Sequence, residues 1–339
     1  MTRVRVTLMA GALCAALAAS GPAAAETKKM VVAAPGIPPI FASVILYVAE
    51  KEGFFKKYGV NAEVRPFDTG TAASRAVIAG DIEMSLSPSA LLINQISNAD
   101  ANTVAIYGLT NTDFLLASTD PAKTSCKDVV GQPVGVDTVG GARSIALRTM
   151  LTGCPGVKID DVQQVALSSN SAAAMLAGRL NLGVLHLDDV AVLEKQGKKV
   201  IKLLTVQKTN PNGHYLVFVV RVDKLKEHRD DYVRLMAALI DSARFIRDPK
   251  NADKVADDAS PTGHPKDVSK ATIQPLIDID YWPADDDGLD RKRMESLIAV
   301  LKKTGGIKDD KEPVKYDRLT DQSVWRDAKA MVDARAKVH

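Results

Sequence analysis

VGVDTVGGARSIALRTMLTGCPG, residues 134–156, holds in one stretch the unit from which the fold is read. Val134–Val136 is a short β-branched run of the kind that forms a buried strand, and Asp137–Ser144 is a polar, glycine-rich junction. Leu147, Met150 and Leu151 then fall on one face of a helix that Gly153 and Pro155 end. Strand, loop and helix in that order are the repeating element of an α/β protein. The same unit recurs on both sides. Met30–Ala34 reads as a strand, Pro35–Ser43 as its junction, and Ile45, Val48 and Ala49 as the apolar face of the helix that follows. Lys51, Lys56 and Lys57 mark that helix's solvent side, with Gly53 and Gly59 punctuating its end. Further strand-like runs lie at 62–64, 104–107, 114–117, 162–166, 182–186, 200–206 and 215–221, and further junctions at Asp68–Ser74, Ser85–Ser89 and Ser168–Ser171. Beyond Arg221 helical patterns dominate, as with Val233, Met236, Ala237 and Ile240 on one face. No internal sequence repeat accompanies this alternation.

The 339 residues carry 44 Lys plus Arg against 41 Asp plus Glu, a formal charge of +3, which excludes a long nucleic-acid groove. Length implies two domains. Residues 1–25 read as a cleavable secretory signal: Arg3 and Arg5, an apolar run from Val6 to Ala19, the breaker pair Gly21-Pro22 and the small-residue site Ala23–Ala25. An uncleaved anchor is the rival reading, against which stand the alanine-rich run and its Gly-Pro ending, and at Cys14 a lipoprotein site would need a small residue where Leu13 stands. Cleavage leaves two cysteines, Cys126 and Cys154. In an oxidising compartment pairing is the default, contributing about 3 kcal/mol, and two separate buried thiols are the alternative. Two turn-rich stretches, Ser118–Lys127 and Lys208–His214, read as crossings between lobes. They divide the mature chain into a discontinuous first lobe, 26–118 with 215–339, and a second lobe, 119–214.

Catalytic signatures are missing: there is no G-x-S-x-G, H-E-x-x-H or phosphate-loop motif, and no Cys/His cluster at metal-ligand spacing. His186, His214, His228, His264 and His339 are scattered singly, and Asp285–Asp287 lacks the alternating ligands of a calcium loop. Neither cofactor nor metal is expected. The junctions are more informative together than singly. In open α/β sheets the carboxyl ends of the strands face the binding crevice, where free helix N-termini favour a small anion. Each junction alone reads equally as an ordinary helix cap.

VAEKEGFFKKYGV (48–60), AGDIEMSLSPSALL (79–92), TSCKDVVGQPVGVDTVGGARS (124–144) and AMLAGRLNLGVLHLDD (174–189) occur in the order found in periplasmic solute-binding proteins of the nitrate/sulfonate/taurine ABC-transport group. The chain resembles that group and the related THI5-like pyrimidine-precursor binding proteins. The resemblance implies an α/β, two-lobed type II periplasmic-binding-protein fold with a ligand cleft between the lobes, closing by hinge motion and docking on a membrane permease. It implies a monomer located in the periplasm. Carried over residue by residue, it places ligand contacts at Pro38, Pro39 and Phe41, at Ser87 and Ser89, at Thr110 and Asn111, at Gly140, Gly141, Ala142, Arg143 and Ser144, and near Asp188. Where the family has Gly-x-Val-Asp-Ala, this chain has Gly178–Gly183 reading GRLNLG, which leaves the part of His186–Asp189 open.

Two other functions share the fold. A THI5-like pyrimidine-synthase enzyme would need a Cys-rich motif with His and Lys in the cleft, and a sensor-coupled receptor would present the same lobes to a signalling protein. Among the predicted loops Phe41 is the chief aromatic, which favours a small polar or anionic solute and leaves sulfonates, carboxylates, nitrate and pyrimidines open. Gly140–Ser144 is the expected anchor for an acidic group, because its glycines admit close backbone approach and a helix begins there. Arg143 either reaches into the cleft or points to solvent.

Overall fold

The computed structural model describes residues 29–167 and 171–337. Residues 1–25, read as a signal in the sequence, most of the Ser168–Ser171 junction and His339 lie outside them. Ten strands run in chain order: β1 (Met30–Pro35), β2 (Ala62–Phe67), β3 (Met84–Pro88), β4 (Thr103–Leu109), β5 (Leu115–Ser118), β6 (Pro133–Val136), β7 (Gln163–Ala166), β8 (Leu182–Leu185), β9 (Ile201–Thr205) and β10 (Leu216–Arg221). They form two five-stranded sheets, ordered β2-β1-β3-β10-β4 and β7-β6-β8-β5-β9. In each, the first three strands are parallel and the fourth runs antiparallel to both its neighbours. The two sheets therefore share one plan, β6 standing where β1 stands and β8 where β3 stands, although the sequences show no repeat.

Both faces of each sheet are covered, so the central strands are buried and largely apolar, with Ser85 and Ser87 of β3 as buried exceptions. In β1, Met30, Val32 and Ala34 face one core with helices Val44–Lys51, Arg229–Arg247 and Ser323–Ala336, while Val31 and Ala33 face another with helices Gly70–Ala79, Ser89–Ala99 and Arg291–Lys303. In the second sheet Val134, Val136, Leu182 and Val184 pack on Leu147, Met150 and Leu151, and Leu115, Ala117 and Leu185 on Met175, Val190 and Leu193. The expected helix faces are the buried ones. Cys126 and Cys154 are disulfide-bonded with Cα atoms 6.0 Å apart, fastening the turn before β6 to the end of helix Ala142–Leu151.

Residues 115–118 depart from the expected division. β5 pairs with β8 and β9, so it belongs to the second sheet, and the first crossing lies at 110–114, ahead of the Asp120-Pro121 turn. The polar residues 118–122 form a local turn in which Asp120 Oδ1 accepts from the N–H of Ala122 at 2.9 Å and Ser118 Oγ from that of Asp120 at 3.0 Å. Such side-chain turns imitate a linker in sequence. A further connection is made by the C-terminal section, whose helix Lys266–Asp278 packs on helix Leu187–Lys195 of the second lobe. Among the described residues no helix is long and apolar enough to cross a membrane.

Candidate functional site

On the first lobe the strand-end loop after β1 forms one lip. Gly36 has φ +98°, and a Cβ there would meet the Pro38 carbonyl oxygen at 2.7 Å, so glycine is required for the chain to turn into the cis Ile37–Pro38 bond. Pro38 is exposed and Pro39 buried. Phe41 is buried, its ring 6.1 Å from that of His264 and 6.4 Å from that of Trp282, whose Nε1–H donates to the Ala42 carbonyl at 3.1 Å.

The remaining expected contacts of this lobe are engaged with one another and with the C-terminal section. Ser87 Oγ lies 3.0 Å from Ser85 Oγ, and both side chains are buried. Ser89 Oγ lies 2.7 Å from His214 Nδ1, and His214 Nε2 lies 2.7 Å from the Gly288 carbonyl oxygen. A carbonyl only accepts, so Nε2 carries the proton and Ser89 donates to Nδ1. Burial pushes the imidazole down to about 4, which keeps His214 neutral. Thr110 donates to the same Gly288 oxygen at 2.8 Å. Asn111 donates to the Ile279 carbonyl at 2.7 Å and accepts from Arg293 at 2.8 Å. Ser89, Thr110 and Asn111 thus tie residues 279–293 to the crossing.

The second lip is the junction Asp137–Ser144. Gly140 has φ +83°, and a Cβ on Gly141 would meet Thr138 and Asp137 oxygens at 2.5 to 2.6 Å. Asp137 Oδ1 accepts from the N–H of Arg143 at 3.2 Å, so a carboxylate of the protein already occupies the start of the helix. Ser144 Oγ accepts from the Gly140 N–H at 3.0 Å and donates to Gln164 Oε1 at 2.5 Å. Ala142 is exposed. Of its two expected directions Arg143 does not take the one to solvent. It is buried, and Nη1 donates to the Val184 carbonyl at 2.6 Å and to Asp189 Oδ2 at 2.8 Å. Burial works against the guanidinium charge, but the Asp189 carboxylate outweighs it and raises the pKa. The Asp189 carboxylate holds the side chain inward.

Between the lips, at the crossing, lies a group that the sequence brought out only in part. Asp113 Oδ1 sits 2.9 Å from His186 Nδ1, and Oδ2 accepts from the Leu187 N–H at 3.0 Å. Burial lowers the His186 pKa, yet the Asp113 charge and hydrogen bond more than reverse this, and the net shift is upward. Asp189 Oδ2 also accepts from the His186 N–H at 3.0 Å, capping helix Leu187–Lys195. Asp188 Oδ2 lies 3.0 Å from His264 Nε2, in the section that precedes helix Lys266–Asp278. The Phe114 ring lies 4.1 Å from His186 and 5.8 Å from Tyr215, and Tyr215 lies 6.2 Å from Tyr281. The aromatic complement is thus larger than Phe41 alone, because the crossing and the C-terminal section supply rings that no single junction announces.

A cavity of about 240 Å³ opens beside the crossing, touched by Asp113, Phe114, Leu187, Lys202, Pro275 and Asp278 and by none of the loops 36–41, 87–89 or 137–144. Among the described residues no group of three or more His, Cys, Asp and Glu is placed to hold a metal ion.

Two sheets of one plan, covered by helices and joined by two crossings, define a two-lobed α/β binding-protein architecture. The chain belongs to the NMT1/THI5-like family, whose model matches residues 41–252. A protein of Brucella abortus named "Putative binding protein" is 22% identical over 205 residues, which cover 60% of this chain and 62% of that one. The match therefore spans less than two thirds of that relative. The periplasmic nitrate-binding protein NrtA from Synechocystis superposes with a TM-score of 0.70 at 13% identity, covering 92% of this chain and 91% of that one. The periplasmic aliphatic sulphonate binding protein SsuA from Escherichia coli gives 0.67 at 15% identity, covering 87% and 92%. DSZB, solved in complex with biphenyl-2-sulfinic acid, gives 0.65 at 15% identity, covering 90% and 99%. At these identities the likeness is one of fold.

Proposed function

We propose that this protein is the periplasmic substrate-binding component of an ABC importer, holding a small polar organic solute between its lobes and passing it, unaltered, to a membrane permease. The observation that carries the reading is the shared plan of the two sheets, with the junctions after β1, β3, β6 and β8 at corresponding strand ends. In open α/β sheets those ends are where ligands sit. The family match and the names of the proteins of like fold support it. The working form is an exported monomer that closes on its ligand by rotation about 110–114 and 206–215.

The ligand contacts proposed are the exposed and partly exposed groups, Pro38 and the Gly140–Ala142 backbone on the lips and Asp188 between them, with the buried Phe41 ring behind the first lip. An anion docking on Gly140–Ser144 has to displace Asp137 from the Arg143 N–H, and it finds the guanidinium already neutralised by Asp189. A ligand that is polar without being a simple anion fits that loop better. The test is a thermal-shift screen of the mature protein against sulfonates, carboxylates, nitrate and pyrimidines, followed by calorimetric titration of any hit against Gly141→Val and Ser144→Ala. A losing at least tenfold in affinity in Gly141→Val is expected. Chemical conversion of the bound compound would remove the receptor reading.

A further inference from the structure

His264, in the C-terminal section, lies against Phe41 of the first lip and bonds to Asp188 of the second lobe. Its ring centre lies 6.1 Å from that of Phe41 on the first lip, and a Cβ on the preceding Gly263 would lie 3.3 Å from Pro38 Cγ, so the backbone there packs beneath the β1 loop. Its Nε2 lies 3.0 Å from Asp188 Oδ2 at the start of helix Leu187–Lys195, in the second lobe. The other Asp188 oxygen accepts from the Asp189 N–H at 3.0 Å, which leaves the imidazole as the partner of Oδ2. Both side chains are mostly covered, at 22% and 16% exposure, so separating them re-exposes two polar groups to water.

We propose that His264 and Asp188 form a proton-operated latch between the C-terminal section and the second lobe, holding the lobes closed when the imidazole is charged and releasing them when it is neutral. The proposal rests on the reading that the two lobes move relative to one another. A charged donor on a carboxylate makes a stronger hydrogen bond than a neutral imidazole does, and the difference counts most where water is excluded. The groups facing the pair are Asp189, Arg143, His186 and Asp113 from the second lobe and the crossing. Arg143 and Asp189 neutralise each other at 2.8 Å, and His186 is matched by Asp113 at 2.9 Å, so Asp188 is left to His264. On the section's own helix Lys266 pairs with Asp257 at 2.7 Å and Asp267 with Lys195 at 3.5 Å, both at the surface.

The hydrogen bond to Asp188 raises the His264 pKa against the opposing effect of burial. In the open form the ring faces water and titrates near the usual value of about 6.5. The closed form then binds its proton more tightly than the open form. The latch is fully set below about pH 6.5 and is lost as pH rises through the closed-form value.

The experiment uses the full mature protein without ligand. Histidine-ring NMR across pH 5 to 9, with His264→Gln to identify the signal, reads the titration, and small-angle scattering on the same samples reads compaction. His264 should titrate above an ordinary histidine and fall to the ordinary value or below in Asp188→Asn. The radius of gyration should grow with pH through the same midpoint in the wild type and hold its high-pH value at all pH in His264→Gln, whose fold is checked by circular dichroism. An ordinary His264 titration, or a wild-type radius that does not change with pH, overturns the latch. A screened solute that compacts His264→Gln and wild type equally at every pH also overturns it while leaving the receptor reading in place. Failure of every solute to compact either protein removes the receptor reading and the latch together.

Discussion

Arg143 and His214 are both buried, and they respond to solvent in opposite ways. Removing the guanidinium leaves Asp189 without its cation in a site that excludes water, and such breaks cost about 3 to 5 kcal/mol. Arg143→Ala should therefore lower the urea midpoint strongly, and pairing Arg143→Met with Asp189→Leu should recover much of the loss, since no charge is then stranded. His214 carries the reverse sensitivity. Its imidazole is held neutral down to about 4, well below its value in the unfolded chain, so the unfolded state binds more protons between pH 6.5 and 4. Stability from this residue is complete above pH 6.5 and declines through that window by about 3 kcal/mol. Urea unfolding at pH 7 and pH 4.5 should show a steeper loss for the wild type than for His214→Gln. Neither role is written in the local sequence. Arg143 stands in a loop composed as an anion site, and what redirects it is Asp189, which adjoins it only after folding.

Longer segments were more legible. Nine of the strands coincide with strand-like runs: β1, buried on both faces, is apolar at every position, while the edge strands β2, β7 and β9 keep polar residues at exposed or partly exposed positions. β3 escaped because Ser85 and Ser87 alternate with Met84 and Leu86, and the serines satisfy each other instead of facing water. The pairing of the cysteines could be inferred from the signal-like N-terminus and the even count that its removal would leave. Their bond closes a loop of 28 residues, so Cys126→Ser with Cys154→Ser should cost between about 2 and 4 kcal/mol, read as a lower melting temperature that reducing agent no longer affects. Gly288 has φ +62°, and a Cβ there would overlap the Gly108 carbonyl, while the Gly108 N–H donates to the Asp287 carbonyl at 2.8 Å. Gly288→Ala forces the C-terminal section off β4. It should destabilise by more than about 1 kcal/mol, and unfolding by denaturant measures it directly.

Taken whole, the molecule should bind its solute with stabilisation and contraction together. A solute at 100 times its Kd adds about 2.7 kcal/mol, visible as a raised melting temperature, and scattering should report a smaller radius of gyration at saturation. The α/β class was readable from alternating patterns and the two lobes from length, two turn-rich stretches and the family resemblance, but the third connection, from helix Lys266–Asp278 onto the second lobe, was not. It joins segments far apart in sequence and leaves no local periodicity. The strand order also governs how the chain can assemble. β10 lies between β3 and β4 and is antiparallel to both, yet the whole second sheet separates it from them in sequence. As the polypeptide emerges N-terminus first, β3 and β4 each wait with an unpaired edge while β5 to β9, contiguous in the chain, already have every strand partner they need. Biogenesis is thus built to finish the inserted half before the half that begins the chain, and the interval before β10 arrives is when a holdase chaperone has most to protect.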